Sequence, residues 1–174
     1  MKILSNIIKG VLVSIWFVIA VFVTACLLSY NDYKVTVFGK NTLLIVDSEE
    51  MEPDYLEGDL LIIKKKSDNK INVGDEVFYY NTSKNTETNV FTSKVLEKDT
   101  QDKSETVYVL NDTKVSSSYI IGTKDSVTIY HKLGTILGVL TSKWGYMFLV
   151  IFPTLFATIY EIVMIVESAK QKEN

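Results

Sequence analysis

Two long apolar runs bracket a stretch of alternating pattern. Gly10 to Tyr30 is 21 residues without a charge. A helix of that length matches the thickness of a bilayer's hydrocarbon core. The second run, Trp144 to Val166, carries Pro153 near its middle and Glu161 toward its end. Pro153 removes a backbone donor and predicts a kinked helix. Between the runs the period changes to two. Lys34-Val-Thr-Val-Phe, Leu43-Leu-Ile-Val, Leu60-Leu-Ile-Ile, Val77-Phe-Tyr-Tyr, Val90 to Leu96, Thr106 to Leu110 and Ser126 to Tyr130 are strand candidates. Glycine, asparagine and aspartate separate most of them. Six or seven short strands at this spacing predict an all-β domain rather than βαβ units. No amphipathic helix is expected within residues 31–132.

The turn signals repeat. Gly58-Asp59 precedes Leu-Leu-Ile-Ile and Gly74-Asp75 precedes a strand candidate at Val77, the same turn-then-strand device used twice. The polar segments 81–89 and 99–105 read as exposed turns. Asn81-Thr-Ser and Asn111-Asp-Thr are glycosylation-type triplets, a pattern common by chance.

Charge then sets orientation. Lys2 and Lys9 precede the first run and Asp32 follows it, while Lys170 and Lys172 follow the second. The excess of lysine at both ends predicts cytoplasmic termini. The expected organisation is a cytoplasmic segment 1–9, a transmembrane helix 10–30, an outward β domain 31–143, a second helix 144–166 and a cytoplasmic tail 167–174. Other readings of the first run are a cleaved signal peptide and, from Val23-Thr24-Ala25-Cys26, a lipoprotein box. Leu27 and Leu28 carry the apolar run past that box, which favours a retained helix.

Residues 31–143 hold 14 lysines and 18 acidic residues, a net charge of −4. That balance speaks against a nucleic-acid surface. Lys64-Lys65-Lys66 reads as a solvated strand end. One cysteine forms no internal disulfide, and no His/Cys/Asp set has ligand spacing, so neither metal nor cofactor is expected.

The candidate chemistry lies in residues 48–59, Ser-Glu-Glu-Met-Glu-Pro-Asp-Tyr-Leu-Glu-Gly-Asp. The order Ser48-x-x-Met51-Glu52-Pro53, Gly58-Asp59-Leu-Leu-Ile, Val73-Gly74-Asp75-Glu-Val resembles a type I signal peptidase. It is nearest to the endoplasmic-reticulum-type branch that also occurs in archaea and Gram-positive bacteria. The resemblance spans nearly the whole chain. It implies a mostly β, signal-peptidase-like extracytoplasmic domain flanked by N- and C-terminal transmembrane helices. It places Ser48 at the first serine of Ser-Gly-Ser-Met-Glu-Pro, where that residue can assist an oxyanion hole. Glu49 stands where the family has glycine, and Glu50 stands at the nucleophilic serine. Ser93, within Phe91-Thr-Ser-Lys-Val, stands at the histidine base, with Lys94 in place of the following arginine. Asp112 stands at the later acidic residue, and Ile120-Ile121-Gly122 at a turn before the last strands. Glu49, Met51, Glu52 and Pro53 would line the peptide cleft.

A hydroxyl attacks only when a base takes its proton, and here both members of that pair are replaced. The resemblance therefore implies a retained scaffold without hydrolysis. Two rearranged chemistries keep an active serine peptidase in view: Ser93 attacking with Glu50 as base, or Lys94 serving Ser48. His131, the one histidine, reads as an interfacial or solvent residue. The partners implied are signal-bearing precursors, including pilins, with an active signal peptidase or a sortase as further partners, and the lipid bilayer. A non-catalytic subunit of a peptidase complex is the third reading, and Glu161 suits such a helix contact.

Overall fold

The computed structural model describes residues 2–81, 90–99, 105–111 and 113–173, with backbone alone for 2, 3, 50 and 170–173. The chain divides into two compact units, Leu28–Ile136 and the pair of segments Met1–Leu27 and Leu137–Asn174.

The first unit consists of two antiparallel sheets. One has the order β1 (Thr36–Phe38), β2 (Asn41–Ile45), β3 (Leu60–Lys64) and β9 (Val127–Tyr130). The other has the order β7 (Lys114–Ser116), β6 (Val107–Leu110), β5 (Val90–Asp99), β4 (Glu76–Tyr80) and β8 (Ile120–Thr123). All seven predicted strands form. β7 and β8 are additional, so among the described residues nine strands stand where six or seven were expected. Ile120-Ile121-Gly122 is strand β8, not a turn.

β4 and β8 are buried on both faces. Phe78 and Ile121 enter one core with Leu44, Met51, Tyr55, Leu61 and Ile63. Val77, Tyr79 and Ile120 enter a second core with Val95, Tyr108 and Leu110. Successive side chains point to opposite faces of a strand, so a strand between two cores reads as a continuous apolar run. Gly122 is required where β8 meets β3: a Cβ there would lie 2.7 Å from Ile63 Cγ2 and 2.8 Å from the Lys64 carbonyl oxygen.

The two Gly-Asp steps fold alike. Gly58 and Gly74 have φ of 86° and 96°, where glycine is favoured. Asp59 N–H donates to the Leu56 carbonyl, and Leu56 N–H donates to the Asp59 carboxylate at 3.2 Å. Asp75 and Asn72 repeat the pair, the second bond at 3.0 Å. β3 and β4 begin immediately after these turns.

Among the described residues two helical stretches are long and apolar enough to cross a membrane, Leu4–Leu28 and Lys143–Ala169. The first begins before the predicted residue 10 and ends short of residue 30, the second passes both predicted bounds, 144 and 166, and Lys9 lies within the first helix, α1 (Lys2–Leu28). Their length makes the chain as a whole mixed, with more helix than strand. α2 (Leu133–Thr141) was expected to belong to the β domain. Its glycines and β-branched residues hid the helix, because both types weaken helix propensity. Ser142 caps the short α3 (Lys143–Tyr146) by accepting the Gly145 N–H at 3.0 Å. A π-helical turn, Met147–Ile151, then leads into α4 (Phe152–Glu173).

The wide turn sits directly before Pro153. Proline has no N–H for the carbonyl four residues back, that of Leu149. The Trp16 indole N–H donates to that carbonyl at 2.8 Å. Thr24 and Tyr146 hydroxyls meet at 3.3 Å in the same unit.

Candidate functional site

The candidate loop runs from Val46 to Asp59 and joins neighbouring antiparallel strands. It closes at its base: Val46 N–H donates to the Asp59 carbonyl at 2.9 Å and Gly58 N–H to the Val46 carbonyl at 2.8 Å. Ser48 is half-buried and extended, at the head of a 3₁₀ turn Glu49–Met51. Met51 and Tyr55 are buried and anchor the loop in the core, while Glu49, Glu52 and Pro53 are exposed. Tyr55 packs on Phe78 with ring centroids 5.4 Å apart. Its hydroxyl meets no partner among the described residues, and burial pushes its pKa up.

A small crevice joins this loop to the second sheet. Ser48, Met51, Leu44, Tyr33 and Lys34 line it with Val90, the first residue of β5. It encloses about 20 Å³. That is room for about one water, so a peptide side chain enters only if the crevice widens.

Ser93 lies three residues along β5 from Val90. It is buried, and its hydroxyl accepts the Asn111 N–H at 3.3 Å. Ser93 and Asn111 are thus adjacent. Asp112 lies outside the described residues. Lys94 is exposed, next along β5 and therefore on its other face, opposite Glu76 in register. Lys34, at φ 56°, is the lysine that shares the crevice with Ser48.

Two charged clusters escaped the sequence reading. Lys124 Nζ lies 2.6 Å from Asp54 Oδ2 and 3.1 Å from Glu76 Oε2, tying the loop to β4. Its hydrogen bonds to Asp54 and then Glu76 raise its pKa, so it stays protonated and is no base at neutral pH.

The second cluster adds a partner to His131, which is exposed to solvent. Its Nδ1 lies 3.1 and 3.2 Å from the two oxygens of Asp59, a carboxylate with only 4% of its side chain exposed. Burial acts to raise the Asp59 pKa. The Leu56 N–H, His131 and the Lys132 N–H outweigh it and hold the carboxyl below its usual range. Among the described residues no hydroxyl or thiol hydrogen-bonds to His131. The pair resembles half of a catalytic triad in chemistry, but the visible role is to clamp the end of β9 to the candidate loop. Asp59 and His131 are 72 residues apart, a separation at which no spacing signal announces a contact. Lys66, at the end of the basic run, pairs with Asp125 at 2.5 Å.

No family model, curated protein or solved structure matches the chain. The signal-peptidase resemblance therefore rests on the motif residues and their order.

Proposed function

We propose that the protein is a membrane-anchored, signal-peptidase-like scaffold that binds exported precursors without cleaving them. One observation carries the reading. The motif loop is closed at its base and anchored by Met51 and Tyr55, while Glu50 and Ser93 stand where the resemblance would put the nucleophile and the base. A buried hydroxyl that accepts a backbone N–H supplies no base. What such a loop retains is backbone recognition: an extended chain can add to exposed strand edges without a nucleophile. The client class is a membrane-tethered precursor, with pilins among the candidates. In this reading the sheets lie outside the membrane and both ends lie inside.

The test presents a tethered precursor to the purified full-length chain. The expected result is capture by crosslinking from position 50 with no cleavage. Cleavage by the wild type that is abolished by Ser93→Ala or Glu50→Gln overturns the proposal. A second reading, an active peptidase built on Ser48, is favoured by Lys34 lining the same crevice. It requires cleavage that is lost in both Ser48→Ala and Lys34→Met.

A further inference from the structure

We propose that two copies of this chain associate within the membrane, Lys9 of each copy pairing with Glu161 of the other. The inference rests on the reading that both long helices cross a bilayer. Between Leu4 and Leu28 the one charged side chain is Lys9, and between Trp144 and Val166 it is Glu161. Charges in an apolar span are costly, and they are generally paired or turned toward a helix contact. Neither residue makes an ion pair among the described residues. Both are exposed, as are residues 4–15 and 154–169 on either side of them.

Their depths agree. The Trp16–Leu149 hydrogen bond sets a common level for the two antiparallel segments. Lys9 lies seven residues inward of Trp16, about 10 Å along the axis, and Glu161 twelve residues inward of Leu149, about 18 Å. Side chains tilt toward a helix's N-terminus. In α1 that direction is inward and in α4 it is outward, so the lysine stem and the carboxylate lean toward one level. Gly10, beside Lys9, has nothing within 4 Å of the place a Cβ would occupy, which leaves the backbone open to a close neighbour.

A second copy is the occupant that satisfies both charges at once. In a two-fold pair the same patch meets itself, so each copy's lysine answers the other's carboxylate and two ion pairs form. A single copy of an unrelated helix would have to bring both opposite charges at the same depth.

The experiment co-expresses full-length chains carrying two different tags, washes the membranes with carbonate and measures co-capture in mild detergent. Wild-type copies are expected to co-capture. Lys9→Glu alone and Glu161→Lys alone are each expected to lose at least tenfold. Mixing the Lys9→Glu chain with the Glu161→Lys chain is expected to restore co-capture, since each variant then meets opposite charges on the other. Three results overturn the proposal: no co-capture by wild type, single variants that co-capture like wild type, or rescue only when both changes share one chain. The last identifies an in-chain pair. Loss of the wild-type chain from the carbonate-washed membranes overturns the membrane reading itself, an outcome distinct from the other three.

Discussion

Asp59 shows how one side chain can hold a turn and a strand end together. Its carboxylate is buried, accepts the Leu56 N–H and meets His131. A carboxyl whose folded pKa lies below its unfolded value, about 3.9, contributes stability that is fully present above that value. The contribution is lost as pH falls through the lower folded pKa. Asp59→Asn is therefore expected to cost about 2 kcal/mol at pH 7, with a gap to wild type that narrows below about pH 4. Urea unfolding of the full chain in detergent at pH 7 and pH 3 measures this, and an equal gap at both values would refute the charge role. His131→Ala should cost less, under about 1 kcal/mol, because 71% of the imidazole side chain is exposed and water screens the pair. Ser93 teaches the complementary lesson. The resemblance implies only that a base is missing there, and the Asn111 N–H at 3.3 Å shows that its hydroxyl has a structural use.

Elements were legible where burial follows one period. β3 and β5 announce themselves as apolar or alternating runs, and the Gly58-Asp59 and Gly74-Asp75 turns form as their residues require. β8 is hidden because Gly122 within it reads as a turn residue. The glycine is there because β3 passes too close for a Cβ, a fact of sheet-to-sheet approach that local sequence does not carry. Gly122→Ala is expected to cost about 2 kcal/mol by overpacking, read as a lower thermal midpoint. Ile63→Ala should not rescue it, since the Lys64 carbonyl remains 2.8 Å from the new carbon. β7 offers Val115 as its one apolar residue and leaves no pattern to read. Pro153 predicts a kink in the second long helix. The structure places a π-helical turn just before Pro153, and Trp16 serves the carbonyl that proline leaves without a donor. An unsatisfied carbonyl is expensive in lipid, so Trp16→Phe should cost about 1 kcal/mol. On a Pro153→Ala background the loss should shrink, because the backbone at position 153 would again offer Leu149 an N–H. Thermal unfolding of the four chains in detergent closes that cycle, and equal losses on both backgrounds would break the link.

At the scale of the whole molecule, two crossings by the long apolar helices would place both ends on one side whatever the charges are. The charges choose the side. Residues 31–143 are too long a segment for their lysines to count, since the positive-inside bias acts through short loops of up to about 60 residues. That leaves Lys2 before the first span, Lys9 near its inward end and Lys170 and Lys172 after the second, all basic. Lys9 lies inside the first helix near its inward end. The expected topology puts Lys114 of β7 outside and Gln171 of α4 inside. On a Cys26→Ala background, a cysteine at position 114 should react with an impermeant maleimide in intact cells. A cysteine at position 171 should react only after permeabilisation. Reaction of both from the same face would remove the outward domain. The motif loop could then not meet a precursor emerging on the far side of the membrane, so this measurement bears on the proposed function as directly as any cleavage assay.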